Sequence, residues 1–329
     1  MPIAIAGSIA TDHLMTYSGR FADSLVIDHL DMISVSFLVH SLEVRRGGVA
    51  ANIAFGMGNL GQEPVLVGAV GEDFTDYRAW LASHGVDCQS VHVSETQHTA
   101  RFVCTTDDDM AQIATFYAGA MTEAREIKLA PVAKRVGGLD LVLIGADDPE
   151  AMRRHTIECR EQKIPFVADP SQQLAFGDGE LIRDLIDGAT YLITNEYEGH
   201  LMEQKSGWSS EEIEAKVGYR VTTLGKNGVR ITGSDLDVPL EVAAAREVTK
   251  ADPTGVGDAF RAGFLTGITE GLPLRESAEI GSTLATYVIE TVGTQEYKLE
   301  TARFLERLAE AYGSESADLV TGHINCHYP

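Results

Sequence analysis

The chain has 329 residues, enough for one large α/β domain or two small ones, with 49 acidic against 26 basic residues and a formal charge of −23. Such a field repels nucleic acid and anionic membrane, and no stretch reaches the roughly 18–20 consecutive apolar residues of a membrane span. The N-terminus opens on the apolar run Ile3–Gly7 without a basic leader, so the expected location is cytoplasmic.

In chain order, a strand is predicted at Ile3–Gly7, then an extended region from 10 to about 46. A helix at Val49–Leu60, a strand at Pro64–Val70 and a helix at Phe74–His84 follow. A second extended region runs from 90 to about 118, with a hairpin of Thr99–Thr105 and Gln112–Tyr117 turning at Asp107–Asp109. Next come strand Leu139–Gly145, helix Pro149–Lys163, strand Pro165–Ala168, helix Gly179–Asp187, strand Tyr191–Thr194 and helix Glu196–Lys205. Strands Tyr219–Leu224 and Gly228–Thr232 precede helices Asp258–Glu270, Arg275–Glu290 and Leu299–Tyr312.

Near-continuous apolar runs such as Leu141–Ile144 suit strands buried on both faces, and strand–helix alternation argues for a mainly parallel sheet with helices on both sides. The expected fold class is therefore α/β. The whole chain, 1–329, reads as one domain, with segments 10–46 and 90–118 together forming a small β-lid. The four cysteines, Cys88, Cys104, Cys159 and Cys326, are far apart and form no C-x-x-C pair, so reduced packing residues are expected. The tail Gly322–Pro329, with two His and a Cys, reads as a frayed terminus rather than a metal site.

The most informative segment is Ala251–Phe264, where a Gly-rich turn runs into an amphipathic helix. Gly255 and Gly257 let backbone approach a ligand, and the N–H groups of residues 255–258 converge on one spot suited to phosphate and transition-state charge. Asp258, in the first turn, is either a base for an attacking hydroxyl or a helix cap.

Four other segments add to it. Arg46–Ala54 carries a Gly-Gly turn and Asn52, which offers a donor and an acceptor to sugar hydroxyls or simply caps the turn. Gly7, Ser8 and Asp12 follow the first strand, where ligands of open α/β sheets bind; Asp12 either accepts from a diol or is a solvated loop residue. Asn195 and Glu198, one helical turn apart, either organise the waters of Mg²⁺ or cap their helix. Thr223–Gly228 is a turn able to hold a nucleotide phosphate. By contrast, Gly56–Gly61 matches G-x-G-x-x-G but follows a helix and precedes a strand, the reverse of the dinucleotide context, and reads as a helix end.

Taken together in order and spacing, these motifs resemble the ribokinase-like (PfkB-type) carbohydrate kinase family over about residues 3–312. The carrying pieces are Gly47-Gly48 with Asn52, Asp252–Asp258, and Asn195–Glu198 as the family's N-x-x-E element. The resemblance implies a ribokinase-like three-layer α/β/α domain with a β-sheet lid, and an ATP-dependent kinase using Mg²⁺. It implies Asp258 as base and Gly255, Val256 and Gly257 as an anion hole. Asn195 lies near phosphate, Glu198 near Mg²⁺ through water, and Thr223, Gly225 and Gly228 on the ATP side. Ser8, Asp12, Gly48 and Asn52 belong on the substrate side, and Asp252 near a monovalent cation such as K⁺. Val256 stands where the family more often has Ala.

Within the family the chain is most similar to bacterial adenosine kinases, through Gly7–Leu14, Thr99–Thr106, Asp109–Ile113 and Ala168–Leu174. That implies adenosine as substrate, with Phe102 and Phe116 stacking on adenine and Gln172 and Gln173 binding base or ribose. Two other readings stand beside it. One is a kinase of ribose, fructose or a related sugar; the other is a non-catalytic nucleoside or sugar sensor. A homodimer through the exposed lid sheet is also expected.

Overall fold

A computed structural model describes residues 2–24 and 34–326. Fourteen strands are found among them: β1 Ile3–Ala6, β2 Ala10–Thr16, β3 Ser41–Gly47, β4 Val65–Val67, β5 Ala69–Val70, β6 His92–Val93, β7 Ala100–Thr106, β8 Gln112–Tyr117, β9 Leu141–Ile144, β10 Phe166–Ala168, β11 Tyr191–Asn195, β12 Tyr219–Thr223, β13 Val229–Gly233 and β14 Leu240–Val242. Eight of them form the main sheet, in the order β14-β13-β12-β11-β10-β9-β1-β4. From β4 to β12 every pairing is parallel; β13 and β14 close one edge antiparallel.

Successive residues of a strand point to opposite faces, and the central strands are apolar on both. Ile3 and Ile5 of β1, with Leu141 and Leu143 of β9, feed one core, while Ala4, Ala6, Val142 and Ile144 feed the other. Helices Val49–Asn59, Val256–Thr269, Leu274–Ile289 and Thr301–Tyr312 contribute to the first core. Leu129–Val136, Pro149–Gln162, Gly179–Ile186 and Glu196–Ser206 contribute to the second. The result is the three-layer arrangement expected.

Several boundaries differ from the sequence reading. The strand predicted at Pro64–Val70 is two, β4 in the main sheet and β5 in a separate parallel pair with β6. Gly68 makes the break; a Cβ there would lie 2.7 Å from the Gly7 carbonyl oxygen. Residues 92–93 therefore leave the lid. The lid sheet is β3-β2-β7-β8, with β2 and β7 parallel and the outer pairs antiparallel. Part of the predicted segment 10–46 (residues 25–33) lies outside the described residues. The catalytic-motif helix begins at Val256, ahead of the Asp258 start predicted. Helices Leu129–Val136 and Ser314–Val320 and strand β14 were not predicted.

The hairpin turn at 107–109 is as expected, and Asp107 builds it by accepting from the N–H groups of Asp109 and Ala111, at 3.0 and 2.8 Å. The G-x-G-x-x-G stretch is a helix end. The tail is not frayed as far as Cys326, since Ile324 fills the core and the Asn325 N–H donates to the Leu60 carbonyl at 3.2 Å. His327 lies outside the described residues. The cysteines are unpaired, three of them buried.

Candidate active site

The parallel strands deliver residues to one edge. Ser8 follows β1, Asp147 follows β9, Asp169 follows β10, and Asn195 and Thr223 end β11 and β12. This is the carboxyl edge, where ligands of open sheets bind. A cleft of about 830 Å³ opens above it. Ser8, Asp12, Gly48, Asn52, Phe102, Phe116, Gln172 and Gln173 all line it, together with Asn195, Glu198, Asp252, Gly255, Gly257 and Asp258. A second cavity of about 330 Å³ lies on the far side of the Gly-rich turn, lined by Thr223, Gly225, Gly228, Val256 and again Asn195 and Gly257. Every residue given a catalytic, substrate, ATP or cation role from the sequence thus lines one of two neighbouring cavities that share a wall.

Glycine is required at two of these places. Gly48 has φ 95°, and a Cβ there would sit 2.5 Å from the Ser8 carbonyl oxygen, so the chain entering helix 49–59 lies directly on the end of β1. Gly255, with φ 77°, caps the helix that starts at Val256, whose first turn borders the cleft at Gly257 and Asp258. The Ser8 hydroxyl accepts from the Val49 N–H at 3.1 Å.

At the centre stands Asp258. Its Oδ2 accepts from Asn52 Nδ2 at 2.9 Å. Loss of hydration pushes its pKa up to about 7, against the pull of Arg261 and the Asn52 hydrogen bond, while the nearby carboxylates of Asp169 and Glu198 add to the rise. One turn along the helix, Arg261 pairs with Asp169 through Nε–Oδ2 at 2.5 Å and Nη2–Oδ1 at 2.6 Å. The Glu198 carboxylate is 4.0 Å from Arg261 Nη2.

Asn195 and Glu198 form a capping box, each side chain meeting the other's backbone N–H at 2.8 Å, while both also line the cleft. Asp12 is not in a loop but on lid strand β2, in register with Phe102, which is itself in register with Phe116. Period-two alternation puts all three on the cleft side of the lid. Burial raises the pKa of Asp12, against the attraction of Arg45. Gln173 Nε2 donates to the Asp147 carbonyl at 2.7 Å.

Sequence reasoning missed several of the lining groups. Arg261, Asp169, Asp147, Met121 and Phe176 were assigned no role, and all but Asp169 line the cleft. Arg261 had a legible signal, as the lone charge in the apolar run Ala259–Leu265.

The pfkB family carbohydrate kinase model matches residues 11–302. The chain belongs to that family. It is a kinase with the ribokinase-like fold. A nucleoside kinase of Methanothermobacter thermautotrophicus is 30% identical over 296 residues, 88% of this chain and 94% of that one. Among solved structures, the ligand-free nucleoside kinase of Burkholderia thailandensis has a TM-score of 0.84 at 34% identity, covering 93% of this chain and 99% of that one. The same enzyme in complex with ADP-inosine has a TM-score of 0.79 at 34% identity, covering 94% and 96%.

Proposed function

We propose that this family member transfers the γ-phosphoryl group of ATP to the ribose 5′-hydroxyl of a purine nucleoside, with adenosine as the preferred acceptor. One observation carries the reading. The cleft runs on past the sugar-sized space at Asp258 and Asn52 to a wall of Phe102, Phe116, Phe176 and Met121, which suits a flat heterocycle and which a free pentose would leave empty. The similarity to nucleoside kinases, one of them solved with ADP-inosine, supports it. Adenine is favoured because Gln173 gives one Nε2 proton to the Asp147 carbonyl, and its Oε1 and remaining Nε2 proton match the exocyclic amine and N1 of adenine.

In this reading Asp12, Gly48 and Asn52 hold the ribose, and its 5′-hydroxyl faces Asp258. Asp258 accepts the hydroxyl proton as the oxygen attacks phosphorus, and the N–H groups of residues 255–257 hydrogen-bond the transferring oxygens. ATP occupies the smaller cavity at Thr223, Gly225 and Gly228. Lys226 and Lys250, both on its wall, offset the acidic surface.

For Mg²⁺, the fit is good through water. Glu198 and Asn195 each commit one oxygen to the capping box, and no group of three or more His, Cys, Asp or Glu able to hold a metal occurs among the described residues. One free carboxylate oxygen at a phosphate site is the usual protein share for this ion, which supplies charge neutralisation between the phosphates. For K⁺ the fit is poor. Asp252 Oδ1 accepts from the Thr254 N–H at 2.9 Å and Oδ2 from the Gly293 N–H at 3.2 Å, and the Arg45 guanidinium stands 3.7 Å away. A resident cation already balances that carboxylate.

The outer lid face carries Leu42, Val44 and Ile113, each about half exposed, which supports pairing of two copies through the lid. The deciding assay is ADP release with adenosine, inosine, guanosine, ribose and fructose under Mg²⁺. Turnover led by adenosine is expected; turnover on free ribose or fructose with none on nucleosides would overturn the assignment.

A further inference from the structure

A chain of hydrogen bonds leads from the end of lid strand β3 to Asp258, and its direction is fixed from one end. The Gly47 carbonyl can only accept. The Tyr77 hydroxyl donates to it at 2.9 Å, which uses the only proton on that oxygen. Tyr77 must therefore accept from its other neighbour, and the Gln295 atom 2.6 Å away must be the amide nitrogen, Nε2. That nitrogen places its second proton on Asn52, 2.9 Å away, so the Asn52 atom facing it must be Oδ1. Asn52 Nδ2 is then left to point at Asp258.

The other neighbour of Asn52 cannot make this choice. The Thr294 hydroxyl lies 2.9 Å from Asn52 Oδ1 and 3.0 Å from the Arg46 carbonyl. If Asn52 turned over, Thr294 could donate to Arg46 and accept from the amide, and lose nothing. Gln295 could not, because two NH₂ groups would then face each other. Its own orientation leaves Oε1 buried with no partner, so the arrangement costs Gln295 a hydrogen bond.

We propose that Gln295 is a positioning residue for the transfer reaction: it holds the Asn52 amide with its donor toward the Asp258 carboxylate. The inference rests on the reading of Asp258 as base. A donor on the carboxylate favours its ionised, proton-accepting form, so release of Asn52 raises the pH at which the base becomes available. The other charged or titratable groups acting on Asp258 are Arg261 on its own helix, Asp169 after β10, Glu198 on helix 196–206 and the Tyr297 hydroxyl. The hydrogen bonds of Gln295 run to Asn52 and Tyr77 and to none of these groups.

The test is the pH dependence of kcat/KM for adenosine, in the full chain, for Gln295→Leu, Gln295→Glu and Tyr77→Phe, beside Asp258→Asn. The acid limb is expected to move up by about one pH unit in Gln295→Leu and Tyr77→Phe. That is about a tenfold loss well below the limb that disappears above it, with KM for ATP unchanged. Gln295→Glu, which sets an acceptor against Asn52, is expected to move it at least as far. An unmoved limb with a uniform loss at every pH, in Gln295→Leu and Tyr77→Phe alike, would assign these side chains to packing and overturn the proposal. Full activity of Asp258→Asn would instead remove the base reading itself. If a Gln295 variant fails to fold, Tyr77→Phe, which deletes one oxygen, still decides.

Discussion

Arg261 grips Asp169 at two points, Nε–Oδ2 at 2.5 Å and Nη2–Oδ1 at 2.6 Å, with both side chains almost wholly out of water. The pair ties the helix bearing Asp258 to the end of β10. Arg261→Met leaves a buried carboxylate without its cation, a change of about 3–5 kcal/mol in other proteins. A fall of that size in unfolding free energy by urea titration is expected. The double variant Arg261→Met/Asp169→Leu is expected to recover a large part of it; a single variant as stable as the parent would contradict the role of the pair.

Asp258→Asn keeps the size of the side chain and removes its capacity to take a proton. Turnover is expected to fall by roughly 10²–10⁴-fold, as for loss of a general base, with the protein still folded. Steady-state rates together with circular dichroism check both halves of the statement.

The pKa of Asp258, raised to about 7 mainly by burial, has a sign that can be read in two ways. For catalysis, the base is ionised only above that value, so kcat/KM is expected to fall as pH drops through about 7. For stability, the folded state holds this proton at pH values where the unfolded chain has released it. The folded state therefore loses ground as pH rises from the ordinary aspartate range to about 7. Asp258→Asn is thus expected to melt at or above the parent at pH 8, and the advantage is expected to vanish near pH 4. Scanning calorimetry at the two values tests the sign.

Phe102 and Phe116 face the cleft from paired positions on β7 and β8. Phe102→Ala is expected to weaken adenosine binding by about 1–3 kcal/mol, as for loss of a stacked aromatic, while ATP binding stays nearly intact. Calorimetric titration with each ligand separates the two; an unchanged adenosine Kd would refute stacking.

The proposed pairing through the outer lid face predicts a dimer for the parent and a monomer for Val44→Lys in sedimentation or light scattering. Kinetics with adenosine should change little, since Val44 faces away from the cleft. An assembly state equal to the parent's would reject pairing through this face.

How much of this could be read beforehand follows from how local each signal is. The unbroken apolar runs Ile3–Ala6 and Leu141–Ile144 encode strands buried on both faces, and the Gly255–Asp258 turn encodes a helix start open to ligand. Both are contained in a few neighbouring residues, and both were legible. β14 was not, because three residues at an edge carry no period. The Asn195–Glu198 pair was legible as a pair but open as to role, and it serves as a cap while also lining the cleft. The link from Tyr77 to Gln295 spans 218 positions and joins two side chains of ordinary type, so only the folded chain brings it into view.

The shared wall between the two cavities also bears on what single ligand could fill both. Among the described residues, only Asn195 and Gly257 border both spaces, and Gly257 has no side chain to stand between them. The partition between the two spaces at Gly257 is therefore backbone alone. For the same reason, one molecule with a nucleoside at one end and a nucleotide at the other, joined by a phosphate bridge across Gly257, would occupy both rooms at once. Its binding would gain from the tether rather than from any new contact, and it would compete with both substrates equally.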